Sequence, residues 1–136
     1  MRNENIGKEA SIIATKKIIR NFINKQQRII VKRILQVFKG CVIDGRDIGT
    51  VVFPDADYKF FITASIEERA KRRFEELQIK NKSVNFESVI GEIRDRDYLD
   101  STRKLSPLKK ADDAILIDTT HLNVDEQVNL ILKRIK

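Results

Sequence analysis

The sequence predicts an α/β fold with a mostly parallel sheet, and three observations carry that prediction. Three short, largely apolar runs, at 41–43, 58–63 and 114–118, have the near-continuous hydrophobicity of strands buried on both faces. Around them apolar residues recur at helical spacing. The resulting order, ααβ(turn)βααβα, is the pattern of crossover connections between parallel strands.

Composition sets the outer bounds. A chain of 136 residues suggests a single domain, 1–136, able to bury roughly two thirds of its unfolded surface. With 27 Lys and Arg against 20 Asp and Glu, the net charge is +7, which favours anionic partners such as phosphates, nucleotides or nucleic acid. The charges are interleaved, so the solvated faces of helices account for much of this balance. The one cysteine, Cys41, sits in an apolar run and reads as a small core residue; no disulfide framework or zinc spacing can be built from it. No apolar run approaches the ~20 residues of a membrane span, and no secretory signal opens the chain. The expectation is a cytoplasmic protein with no membrane partner.

Residues 4–24 predict a first helix, from Ile6, Ala10, Ile13, Ala14, Ile19, Phe22 and Ile23, with Ser11 and Arg20 as polar exceptions on it. Residues 26–38 predict a second, from Ile30, Ile34, Val37 and Phe38, with Gly40 as its C-terminal cap. The strand at 41–43 leads into the turn Gly45-Arg46-Asp47, then into Thr50–Phe53, ended by Pro54. A polar turn just after a strand is where open α/β sheets hold ligands, although Arg46 and Asp47 read equally as a loose ion pair in a solvated turn. After the strand at 58–63, Ser65 and Glu68 form a capping box for a helix over about 66–78. Arg69, Arg72 and Arg73 share one face of it at i, i+3 and i+4; the plainer reading is Glu68 pairing with Arg72 on an exposed face. Asn85 caps the next helix, with Val84 and Val89 as a hydrophobic staple, and that helix runs to about Lys104. On it Arg96, Asp100 and Arg103 stack at i, i+4 and i+7. Such a stripe can grip a phosphate with guanidinium and hydroxyls with carboxylate; it can equally be an ion-pair ladder worth a few tenths of a kcal/mol per pair. Asn123 and Glu126 cap a last amphipathic helix carrying Val124, Val128, Ile131, Leu132 and Ile135. His121, in the preceding loop, has no assigned role.

DGRDIGTVVFPDAD at 44–57 closely resembles the bacterial cytidylate kinase family, and so do EIRDRDYLDSTRKLSPLKKADDAILIDTT at 92–120 and RNENIGKEAS at 2–11. The resemblance covers nearly the whole chain. It implies a P-loop nucleoside monophosphate kinase-like parallel sheet with flanking helices. It also implies transfer of the γ-phosphoryl of ATP to CMP or dCMP, with Mg2+ bound alongside ATP. Carried over position by position, Ser11, Arg20 and Asp47 fall where the family recognises cytosine, and Arg46 matches a phosphate-binding arginine. Arg96 and Asp100 match residues that hold the sugar, and Arg103 belongs to the same pocket. Arg69, Arg72 and Arg73 begin a mobile lid at approximately 67–95 that closes over the ATP phosphates. Arg46, Arg72 and Arg73 are the expected catalytic groups, with no protein ligand to metal.

Two features of the family are not found. The G-x-x-x-x-G-K-[ST] loop that cradles ATP phosphates has no counterpart: Gly40 to Gly45 is followed by Arg46 and Asp47, and 41–43 is needed as strand. The small CMP-side subdomain is also absent. The segment between Arg28 and Cys41 is several residues longer than usual, and Leu99 stands where relatives carry a charge. The resemblance therefore implies a C-terminal portion of the fold, incomplete because its central P-loop strand is absent, with unpaired strand edges. Such a chain is expected to be inactive alone, to re-pair its strands, or to take an N-terminal segment in trans. The alternative is a non-catalytic nucleotide-binding remnant or subunit. A nucleic-acid module rests on net charge alone, without RNP-like aromatics, zinc spacing or a helix-turn-helix, so no nucleic-acid partner is expected.

Overall fold

In the computed structural model, which describes residue 9 and residues 12–80 and 83–135, the second and third apolar runs pair as parallel strands. Strand β1 (Phe60–Thr63) lies beside β2 (Ile115–Asp118), in register from Phe60 opposite Ile115 to Thr63 opposite Asp118. The chain divides into two units, Met1–Ala56 with Arg96–Ala111, and Asp57–Asp95 with Asp112–Lys136.

The first unit is built on helix α1 (Lys17–Ile34). Two helices, 4–24 and 26–38, were the expectation; α1 instead runs unbroken through residue 25. Nothing at Asn24–Gln26 stops it, since none is Gly or Pro. The break comes earlier. The Thr15 hydroxyl donates to the Ile12 carbonyl at 2.7 Å, a local bond that competes with helix propagation, and Lys16 is extended. Most of the expected stretch before it, residues 4–8, 10 and 11, lies outside the described residues. The helix ends at Ile34 with Leu35 as cap, so Gly40 does not cap it.

The expected strand at 41–43 does not form: among the described residues the only ladder is β1 with β2. A strand exists through the neighbour that takes up its backbone groups, and among the described residues this segment has none; Val42 is 100% exposed. Cys41 is exposed too, which corrects its reading as a core residue. Beyond the Gly45–Asp47 turn, Ile48–Val52 closes a single π-helical turn, with the Val52 amide donating to the Asp47 carbonyl at 3.2 Å and the Phe53 amide to Ile48 at 2.7 Å.

In the second unit, helix α2 (Ile66–Ile79) follows β1, helix α3 (Phe86–Thr102) passes through both units, and helix α4 (Val124–Leu132) follows β2. Ala70 and Leu77 on α2 meet Val89 and Ile90 on α3, and Phe74, Phe86, Val84, Ile66 and Ile93 pack around them. Phe74 and Phe86 meet edge to face at 5.5 Å, a contact worth about 1 kcal/mol beyond burial. Val84 and Val89 thus both belong to this core, as the staple requires.

The caps form with one difference. The Asn123–Glu126 box is complete, and the Asn85 carboxamide accepts from the Glu87 amide at 2.8 Å. Only half of the Ser65 box forms. Ser65 accepts from the Glu68 amide, but its own amide donates to Thr120 Oγ1 at 3.0 Å and Glu68 receives Arg72. The turn after β2 supplies that Thr120 oxygen, and a tertiary partner has replaced the local one.

Candidate functional site

The stripe expected on α3 does gather charge, and it meets the Arg46–Asp47 turn within the first unit. Asp100, at the last helical turn of α3, is the centre. Arg46 Nε donates to Asp100 Oδ2 at 2.9 Å, Arg103 Nη1 to Oδ1 at 3.3 Å, and Arg96 Nε stands 3.8 Å from Oδ2. Asp100 is 3% exposed. Its backbone is also fixed, because its carbonyl accepts from the Leu108 amide at 2.7 Å.

Arg103 is held from its other side. Its Nε donates to the Ser106 carbonyl at 2.7 Å. Ser106 presents that oxygen from the left-handed region, at φ 50°, a conformation that carries strain for a side-chain-bearing residue. Burial, and next the nearby Arg20 guanidinium, pulls the Arg103 guanidinium below its ordinary value, with Asp100 and Asp47 opposing. It remains a cation, held where positive charge is costly.

The second carboxylate is Asp47. Arg20 Nη2 lies 2.8 Å from Asp47 Oδ1, both side chains being largely buried. Arg20 comes from the first turn of α1, and Asp47 from the residue that opens the π-helical turn. Together with Arg46, Arg96, Asp100 and Arg103 they line a cavity of about 190 Å³, completed by Ala14, Ile23, Gln27, Gly45 and Ile48.

Four guanidiniums here face two carboxylates. Arg20 Nε, Asp47 Oδ2 and Arg103 Nη2 are buried without a hydrogen-bond partner among the described residues. Buried polar atoms are ordinarily paired. These atoms belong to three residues that line the cavity, and a wall of guanidiniums and carboxylates is suited to a small polar anion bearing both donors and acceptors.

Six of the expected site residues, Arg20, Arg46, Asp47, Arg96, Asp100 and Arg103, thus come together. Ser11 lies outside the described residues. Arg69, Arg72 and Arg73 belong to the second unit, where each guanidinium has a partner. Arg69 Nε donates to the Ala64 carbonyl at 3.1 Å, and Arg73 Nη1 to Glu76 Oε2 at 3.0 Å. Arg72 reaches Glu68 with Nε and the Thr119 carbonyl, at 2.7 Å, with Nη2. The Arg72–Glu68 pair forms as the plainer reading has it, though on a partly buried rather than an exposed face, and the same guanidinium also ties α2 to the turn after β2.

Gln27 escaped sequence reasoning although it shares a face with Arg20 at i+7, because dividing the helix at residue 25 hid that periodicity; Ile23, at i+3, was read only as an apolar position of the first helix. Arg28 was missed as well; its guanidinium grips the Val51 and Val52 carbonyls at the end of the π-helical turn, a role visible only in three dimensions.

A model of a family described as cytidylate kinase matches residues 1–136. The chain is 47% identical over 135 residues to a cytidylate kinase of Fusobacterium nucleatum, covering 98% of this chain and 57% of that protein. It is 50% identical over 136 residues to one of Thermosipho melanesiensis (100% and 60%), and 48% over 132 residues to one of Bacillus pumilus (97% and 56%). The chain therefore spans less than two thirds of the length of these relatives.

Proposed function

This chain belongs to the cytidylate kinase family, and we propose that its Arg20–Asp47–Asp100 cavity is the acceptor pocket for CMP or dCMP, the nucleotides that take the γ-phosphoryl of ATP. The observation that carries the reading is the cavity wall, two buried carboxylates among four guanidiniums, with buried polar atoms left unpaired. Cytosine presents an amino donor beside a ring nitrogen and a carbonyl that accept. Asp47 Oδ2 suits the amino group, and Arg20, with Ser11, suits the acceptors. Uracil would set a carbonyl against the carboxylate and leave both unpaired, the kind of mismatch by which polar pockets discriminate. Asp100 and Arg96 suit the sugar hydroxyls, and Arg46 and Arg103 the phosphate.

Phosphoryl transfer depends mostly on positioning and on neutralising charge. In this reading Arg46 serves the acceptor, and Arg69, Arg72 and Arg73, at the start of a lid over about 67–95, serve ATP, whose charged phosphate oxygens would compete with the carbonyls that now hold Arg69 and Arg72. Among the described residues no three His, Cys, Asp or Glu gather as a metal site. Mg2+ fits this reading as an ion carried on the ATP phosphates with its own waters; the described side chains offer it no cage.

The relatives extend well beyond the span matched here. We infer that turnover draws on their remaining length, so that this chain binds the acceptor without phosphorylating it unaided, as the catalytic partner or nucleotide-binding subunit of a second segment. The test is calorimetric titration of the 136-residue chain with CMP, dCMP and UMP, followed by a transfer assay with ATP and Mg2+. The expected outcome is saturable CMP or dCMP binding, preferred over UMP by about tenfold or more, and no turnover. Failure to bind either cytidine nucleotide sinks the pocket; CMP-specific turnover sinks the need for a second segment.

A further inference from the structure

Arg28 stands two helical turns beyond Arg20 on α1, outside the residues assigned to the pocket. Its Nε donates to the Val52 carbonyl at 3.0 Å and its Nη2 to the Val51 carbonyl at 2.8 Å. These carbonyls end the π-helical turn Ile48–Val52, where no following turn of helix takes them up. A planar guanidinium is the side chain that fits two adjacent acceptors, and a cation complements a helix C-terminus.

What the fork holds is connected to Asp47 by backbone. The Val51 amide donates to the Asp47 carbonyl at 2.8 Å, and the Val52 amide to the same oxygen at 3.2 Å. The turn is also backed from the other side. A Cβ at Gly45 would lie 2.6 Å from Ile48 Cγ1, so Ile48 already fills the space beside the Gly45 backbone. Asp47 thus sits between a packed glycine and a clamped turn; it lines the cavity, and its Oδ2 is buried without a hydrogen-bond partner among the described residues.

We infer that Arg28 is a positioning residue for base recognition: by gripping the Val51 and Val52 carbonyls it fixes the 47–52 turn, and with it the carboxylate that distinguishes cytosine from uracil. The inference rests on the pocket reading above. A looser turn lets the carboxylate swing between arrangements, which degrades discrimination more than it degrades binding of the phosphate by arginines elsewhere in the cavity.

The experiment compares the 136-residue chain with its Arg28→Gln and Arg28→Lys variants. Hydrogen exchange is read at the amides of Val51, Val52 and Phe53, with amides of β1 and α2 as the control for global unfolding, and CMP and UMP affinities are measured by calorimetry. In both variants the turn amides are expected to exchange about tenfold faster while the control amides do not change, and the CMP-to-UMP affinity ratio to fall about tenfold, as loss of charge-assisted hydrogen bonds predicts. Unchanged turn amides overturn the clamp. Faster exchange with an unchanged ratio overturns its part in recognition, a result a purely structural arginine would give. A Lys variant that behaves like the parent overturns the two-carbonyl fork. A parent chain that does not tell CMP from UMP removes the pocket and the recognition role together, while exchange still decides whether Arg28 holds the turn.

Discussion

Asp100 shows how much a single carboxylate can organise. Arg103 beside it has a side chain only 5% exposed, so it depends on that carboxylate for its charge balance. Asp100→Asn keeps the shape and removes the charge. Breaking a buried ion pair from one side ordinarily costs about 3–5 kcal/mol, because the other ion is stranded. Urea unfolding is expected to show a loss of that order, and adding Arg103→Met to recover much of it, since no stranded cation remains. If the double variant is no more stable than Asp100→Asn, Arg103 is not the group that Asp100 neutralises. At this scale the sequence was readable. Arg96, Asp100 and Arg103 share a helical face, and the Arg46–Asp47 turn was visible as a charged turn. That the two features meet, with Arg46 on Asp100 rather than on Asp47, depends on contacts across 54 residues, which no local pattern encodes.

Among the elements, those with strong local signals formed where expected. β1, β2, α2 and α4 lie within a few residues of their apolar runs and caps. The Asn123 cap is the clearest: its carboxamide accepts from the Glu126 amide at 2.9 Å, and Glu126 accepts from the Asn123 amide at 2.8 Å. Asn123→Ala is expected to cost about 1 kcal/mol, while Ser65→Ala costs less than its sequence suggests, because its box is only half made. Equal losses in thermal unfolding would contradict that asymmetry. The elements that departed are those whose fate lies elsewhere in the chain. The run at 41–43 has strand composition but no partner strand among the described residues. The helical break falls at Thr15, before α1, where a hydroxyl binds a carbonyl, rather than at the polar residues near 25.

For the molecule as a whole, the surplus of positive charge has a focus as well as a total. Of the 27 basic residues, Arg20, Arg46, Arg96 and Arg103 converge on one cavity. Phosphate binding there should weaken as salt rises from about 0.05 to 0.5 M, over which the Debye length falls severalfold. CMP affinity is expected to drop several-fold over that range and cytidine affinity hardly at all; parallel behaviour would mean that the guanidiniums do not engage the phosphate. The α/β class was legible from the alternation of runs, and two of the three proposed strands form a parallel pair. The third is where reading by pattern ended, since hydrophobicity announces a strand without supplying its neighbour.

That third run has a practical consequence. Cys41 is the chain's one cysteine, and it is exposed, five residues before Arg46 and the cavity. A thiol-directed fluorophore will therefore attach at one known place without any engineered substitution. The exposed segment thus hands the experimenter a native labelling position close in sequence to the site, and whether its emission responds to added CMP can be read without altering any residue of the cavity.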